Sequence, residues 1–290
     1  MIDILLLIGV ILPIVIGILI KVLFIPASEG ISVTGAHVFF KLDLPLGGMP
    51  ITEAQVNSWL VIISIFFLCL FLTRNMKTRK QTRRQIIAEW IVTKTDSLVR
   101  SNMGKAFMGF VPFIAAMLAL SAFSSLLTLV GLFPPTSDLN VVAGWAIMVF
   151  ILITYYKMKC GPWHYIKSFG EPVPFLAPLN VISEIATPVS MSLRHYGNIL
   201  SGSVISVILA SGLSLLSRKL LGGIGTFPLF RVGLPAVLSV YFDVFSGCLQ
   251  AFIFAMLTML YVSGAFAEDE YNERKKRKKA KAEAKAKAEV

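Results

Sequence analysis

Apolar residues in this chain come in long unbroken runs, not in the short alternations of a soluble domain. Runs with at most two charged residues cover Ile4 to Ile25, Ile51 to Thr73, Ala106 to Pro135, Leu139 to Tyr156, Pro172 to Ser217 and Val232 to Ala267. A helix needs roughly 20 residues to cross a bilayer; these runs have that length or more, Leu139 to Tyr156 being the shortest. The pattern predicts an all-α membrane protein with about five to six transmembrane helices. The stretch 81–105 differs, because Ile86, Ile87, Trp90, Ile91 and Leu98 are interleaved with charge at roughly helical spacing. That is the pattern of an amphipathic helix lying on a membrane surface.

The last two runs are too long for upright helices. Phe175 to Ser217 is 43 residues, about 64 Å at 1.5 Å per residue, roughly twice the ~30 Å hydrocarbon core. Val232 to Ala267 is 36 residues, about 54 Å on the same rise. Such helices must tilt or bend, and Pro178 and Pro188 offer places to bend. Segments 172–217 and 232–267 are therefore expected to form a strongly tilted C-terminal hairpin.

Composition agrees, with 56% hydrophobic and 15% charged residues over 290. The net charge of +11 would suggest nucleic acid were it spread over a surface, but Arg274 to Val290 alone holds nine Lys or Arg and two Glu. A second cluster, Arg74, Lys77, Arg79, Lys80, Arg83 and Arg84, directly follows an apolar run. Both read as cytoplasmic flanks facing anionic lipid under the positive-inside rule, and no nucleic-acid partner is expected. Helix alternation from these clusters puts 133–140 outside, 157–167 inside, and the basic tail 268–290 in the cytoplasm.

Residues 1–25 lack the basic start of a secretory signal. They are read as an extra N-terminal transmembrane helix in preference to a cleaved signal, with 26–50 as an external segment. Cys69, Cys160 and Cys248 show no metal-ligand spacing, His37, His164 and His195 do not cluster, and no phosphate loop or nucleophile motif is present. The sequence gives no reason to expect a cofactor, a metal or a self-contained catalytic site.

Chemistry concentrates on the C-terminal hairpin. Ser183, Thr187, Ser190, Arg194, Asn198 and Ser201 are spaced by three or four residues, so on a helix they form one polar stripe with Arg194 near its middle. Arginine stays charged at any accessible pH, and a charge at the centre of a membrane helix costs roughly 2.5 to 3.5 kcal/mol on insertion scales. On the next run Ser239, Asp243, Ser246, Gly247, Gln250 and Thr258 recur at similar spacing. Asp243 is the only acid in that run, and Glu184 precedes Arg194 by ten residues. A buried Arg194 to Asp243 salt bridge is the structural alternative. It is weakened if the two sit at different depths, as their places in the two runs suggest.

The segment from Pro178-Leu-Asn180 through Pro188-Val-Ser190-Met-Ser192-Leu-Arg194-His-Tyr-Gly197-Asn198-Ile-Leu-Ser-Gly202, followed by Leu249-Gln250-Ala251-Phe252-Ile-Phe254, resembles the a subunit of bacterial F-type ATP synthases. The likeness extends more loosely over about 50 to 267, including Gly131-Leu-Phe-Pro134 and Thr136-Ser-Asp138-Leu-Asn140. It implies a membrane stator without catalytic chemistry of its own. Two offset half-channels would pass H⁺ or Na⁺ to and from carboxylates of a rotating c-subunit ring, coupling ion flow to ATP synthesis.

The resemblance makes Arg194 the fixed charge facing the ring carboxylate and Asp243 a residue of the outer half-channel. Gln250 would be the polar neighbour of the arginine on the facing helix, and Asn198 the asparagine one turn beyond it. Glu184 is the candidate for the inner mouth. The family often has an acid or histidine nine residues after the arginine, where this chain has Ser203, and an asparagine where it has Thr128. Implied partners are the c ring, a b-type peripheral stalk subunit, the remainder of the synthase and the lipid of a bacterial plasma (inner) membrane. The competing readings are an ion-coupled secondary transporter, for which the expected internal repeat is missing, and a membrane assembly protein with a structural Arg-Asp pair.

Overall fold

A computed structural model describes residues 2–25, 35–42, 48–77, 82–162, 165, 169, 175, 177–221, 237 and 240–266. The basic tail, most of 232–239 and the side chain of Asp243 lie outside the described residues. Among the described residues the fold is all-α with six membrane-length helical spans and one short β-hairpin between the first and second of them.

Helix α1 (Ile2–Phe24) lies along α2 (Glu53–Thr73). Its buried face is Leu6, Gly9, Pro13 and Gly17, and a side chain on Gly9 would start 2.6 Å from the Phe67 ring. Small residues let the two backbones approach, the usual solution where lipid removes the hydrophobic drive between helices. Three polar ties add to that packing. Asp3 meets Arg74 at 3.6 Å and Arg84 at 3.1 Å, Ser64 donates to the Val10 carbonyl at 2.7 Å, and Lys21 donates to the Gly131 carbonyl.

Across the end of the expected external segment 26–50, and as far as Thr52, the chain forms a hairpin. Strands β1 (Val38–Leu42) and β2 (Met49–Thr52) pair antiparallel, with Val38 opposite Thr52 and Leu42 opposite Met49. The Glu53 amide donates to the His37 carbonyl at 2.8 Å, tying this hairpin to the start of α2.

The stretch 81–105 forms α3 (Arg83–Met103). Ile86, Ile87, Trp90 and Ile91 are exposed, while Val99 and Met103 enter the core near its C-terminus. Next come α4 (Val111–Leu126), flanked by 3₁₀ turns, and α5 (Leu139–Cys160), whose first turn is capped by the Asp138 carboxylate accepting from the Asn140 amide at 2.9 Å. The turn between them needs Gly131 at φ 77°, a left-handed conformation that suits glycine.

Helix α6 (Ala177–Leu221) has 45 residues with Pro188 inside it. The expected start at 172 lies outside the described residues, and at its other end the helix continues past Ser217. At about 67 Å of axis it exceeds the bilayer core twofold. The last span opens with a π-helical turn, Val240–Ser246, and continues as α7 (Gly247–Gly264). The main core gathers Ile114 and Met117 of α4, Val149 and Ile153 of α5, Met191 of α6 and Phe254, Met259 and Val262 of α7. This packing holds one face of α6 against the bundle and leaves the other free.

Candidate ion-translocation site

Helix α6 divides its residues cleanly around Arg194. Met191, Ser192 and His195 are buried against the bundle, whereas Ser190, Leu193 and Arg194 are exposed. Among the described residues Arg194 forms no ion pair or hydrogen bond.

One turn further, the two helices of the hairpin are joined by side chains. Asn198 Nδ2 donates to Gln250 Oε1 at 3.4 Å, and Ser246 Oγ donates to Asn198 Oδ1 at 3.1 Å. Gly202 backs onto Phe242. Carried one turn back along this antiparallel register, Gln250 comes level with Arg194. Asp243, seven residues earlier in the π-helical turn, then lies about two turns away, roughly 10 Å along the axis. Of the expected stripe, Asn198 alone bridges to the facing helix by side-chain hydrogen bonds among the described residues. Thr187, Ser201 and Ser203 donate to the carbonyls of Ser183, Gly197 and Leu200 on their own helix, as isolated intramembrane hydroxyls commonly do. Thr258 does the same with Phe254 on α7.

Two spaces flank this level, one with a polar lining and one of mixed lining. Towards the start of α6 a cavity of about 280 Å³ is lined by Lys157, Asn180, Ser183, Glu184, Thr187 and Tyr261, with others. Glu184 is paired: its Oε1 accepts from Lys157 Nζ at 2.8 Å and from the Tyr165 hydroxyl at 2.9 Å. Burial first, and then its bond to Glu184, push the Tyr165 phenol up to about 12, so it remains a protonated donor at neutral pH. Towards the Gly131 turn, Ser125, Thr128, Pro134, Gly202, Phe242 and Gly247 enclose a space of about 10 Å³, the size of one water.

Sequence reasoning missed two features of this neighbourhood. One is the Lys157 to Glu184 pair, signalled only by a cation at the end of the span preceding the acid. The other is His195, treated as an isolated histidine. It is fully buried, its Nε2 lies 3.5 Å from Ser121 Oγ, and Trp145 and Phe254 stand edge-on to its ring.

Six membrane-length helices among the described residues, one of them over-long, apolar and carrying an exposed arginine, define a polytopic membrane protein organised around its long C-terminal hairpin. The family described as ATP synthase A chain matches residues 55–263, and the chain belongs to that family. It is similar to ATP synthase subunit a of Legionella pneumophila, 27% identical over 237 residues covering 81% of this chain and 94% of the relative. The corresponding protein of Lysinibacillus sphaericus is 30% identical over 239 residues, covering 78% and 97%. A Propionigenium modestum protein named ATP synthase subunit a, sodium ion specific, is 28% identical over 274 residues, covering 87% of each.

Proposed function

We propose that the chain is the membrane stator of an F-type ATP synthase, lodged in a bacterial plasma membrane with its C-terminus in the cytoplasm. It has no catalytic site of its own and passes H⁺ or Na⁺ through two offset half-channels to and from the carboxylates of a rotating c ring. The observation that carries this reading is Arg194, exposed at mid-helix with no counter-charge among the described residues. A membrane arginine is expensive to leave unpaired. A carboxylate arriving on a partner would neutralise it in turn, and the nearby cation would lower that carboxylate's pKa so that its ion leaves. Lysine would serve less well, since it can lose its charge in a low-dielectric site.

In this reading Gln250 and Asn198 shape the polar surface beside Arg194, Asp243 serves the outer half-channel with Ser203 near it, and Glu184 marks the inner one. The water-sized space by Ser125 and the cavity beside Glu184 lie on opposite sides of Arg194, as two separated paths require. Each charge that crosses contributes about 2.3 kcal/mol per 100 mV.

Mild detergent extraction followed by affinity purification tests assembly. The expected result is recovery of an ATPase headpiece, a small proteolipid ring and a b-type stalk subunit, and recovery of the chain alone overturns the reading. Asp243→Asn is expected to slow ion entry from the outer side. Its measure is the ATP synthesis rate of reconstituted vesicles against external pH, and wild-type rates across that range would refute the assignment.

A further inference from the structure

Between α1, α2 and α4 lies a cavity of about 160 Å³ with an almost wholly hydrocarbon wall, to which Ile14, Val61 and Leu126 contribute from the three helices in turn. Its two polar lining side chains have spent their donors on the backbone. Asn57 Nδ2 donates to the Phe133 carbonyl at 2.8 Å, and Ser64 Oγ to the Val10 carbonyl at 2.7 Å. An apolar space of this kind stays dry, and one of about 150 Å³ takes a benzene-sized guest. Val130, also on the wall, is exposed, so the space opens at the surface of the bundle.

At that opening stands a cation. Val130 and Leu132 both line the cavity, and the Gly131 carbonyl between them accepts from Lys21 Nζ. Lys21 is exposed and forms no ion pair among the described residues. It is seven residues from Ile14, two turns or about 10 Å along α1. An ammonium has three donors, so one bond to a carbonyl leaves two. We propose that the cavity and Lys21 together bind one anionic phospholipid, its phosphate on the lysine and a stretch of one acyl chain in the cavity.

The occupant follows from what the two halves require. The cavity rejects any group that would bring water in with it. The lysine is three residues from the end of an apolar 23-residue helix, which places its ammonium within reach of headgroups. A single ligand for both needs hydrocarbon and an anionic oxygen about two helical turns apart, as a phospholipid has. A phosphatidylcholine chain would fill the cavity equally well, but its headgroup carries a cation that Lys21 repels. A neighbouring helix, about 10 Å across, could insert no more than a side chain. Helix α1, which supplies Ile14 and Lys21, precedes the family-matched region, and the proposal does not depend on the stator reading.

The test takes the complex in which the chain is extracted and places it in phosphatidylcholine nanodiscs. These carry a trace of phosphatidylglycerol, or of phosphatidylcholine, bearing a diazirine midway along one acyl chain. After illumination, mass spectrometry reads the label on the α1, α2 and α4 peptides that line the cavity. Wild type is expected to take several-fold more label from the phosphatidylglycerol probe, one lysine beside an anionic headgroup corresponding to about fivefold. Lys21→Gln keeps a donor for the Gly131 carbonyl but loses the charge, and should bring the ratio of the two probes to about one. Lys21→Arg should keep the preference. Val130→Phe puts a ring at the opening, in an exposed position, and should lower labelling by both probes several-fold. Equal labelling by the two probes in wild type overturns the proposal, as does a preference that survives Lys21→Gln or labelling that survives Val130→Phe. No label from either probe also overturns it, being the result of a protein segment seated in the cavity. The wild-type ratio decides even where a variant fails to assemble. Recovery of the chain without a headpiece would instead fail the stator reading, and the ratios of the two probes would stand unaffected.

Discussion

Arg194→Ala is expected to abolish both gradient-driven ATP synthesis and ATP-driven ion pumping while leaving the complex assembled. Assembly should survive because the Arg194 side chain is exposed and holds no bond among the described residues, and because alanine is the best helix former. The packing of α6 is carried instead by its neighbours Met191, Ser192 and His195, all buried. On the stator reading proposed above, what alanine removes is the fixed charge that makes a passing carboxylate release its ion and keeps the two half-channels from joining. The measurements are synthesis and pumping in vesicles, alongside copurification of the headpiece and ring. Retained ATP-driven pumping in an assembled Arg194→Ala complex would remove the residue from its central role. Arg194→Lys is the informative companion, since it restores charge on a group able to titrate and is expected to recover little coupling.

Gly247→Ala is the second substitution with a large expected effect, and its mechanism is steric. An added Cβ at Gly247 would stand 2.5 Å from both Cβ and Oγ of Ser125 on α4. No rotamer of Ser125 removes a clash with its own Cβ, so the two helices must separate. Overpacking of this kind costs about 1 to 3 kcal/mol. The separation would also distort the bond that Ser246 donates to Asn198 and the one that Asn198 donates to Gln250, within a turn of the clash. The expected outcome is a lower yield of assembled complex, and lower pumping per assembled complex. Ser125→Gly in the same chain should recover most of both. Failure of that second substitution to help would show that the contact does not set the helix spacing.

The six spans are legible in the sequence because lipid imposes a compositional demand that few other environments impose: a backbone bonded within itself and side chains apolar on every face. Arg194 stands out for the same reason, as a charge where charges are costly. Other features leave no such trace. The strands at Val38–Leu42 and Met49–Thr52 are four or five residues long, too short for alternation to distinguish them from coil. Lys157 and Glu184 are 27 residues apart on different helices, so no periodicity joins them.

His195 looks unremarkable beside Arg194 because a sequence does not show which face of α6 turns inward. The polar stripe on α6 was only partly informative. Its spacing is real, yet several of its hydroxyls are satisfied by their own helix, which spacing alone does not reveal. The apolar run 172–217 stops just before Arg218 and Lys219, whereas the helix runs on to Leu221. Long basic side chains can trail along a helix end toward water and need not terminate it.

The bond from Lys21 to the Gly131 carbonyl joins positions 110 residues apart, which bears on the order in which the protein is made. Helix α1 leaves the ribosome ahead of the turn it is tied to, and the carbonyl that receives its lysine is synthesised much later. At roughly 5 to 20 residues per second the wait is on the order of ten seconds. During that interval Lys21 lacks this acceptor. The α1 helix therefore enters the membrane early but is fastened at its far end only when α4 and its following turn arrive. Lys21→Leu, which leaves the helix apolar, would relieve the waiting charge and remove the late fastening together.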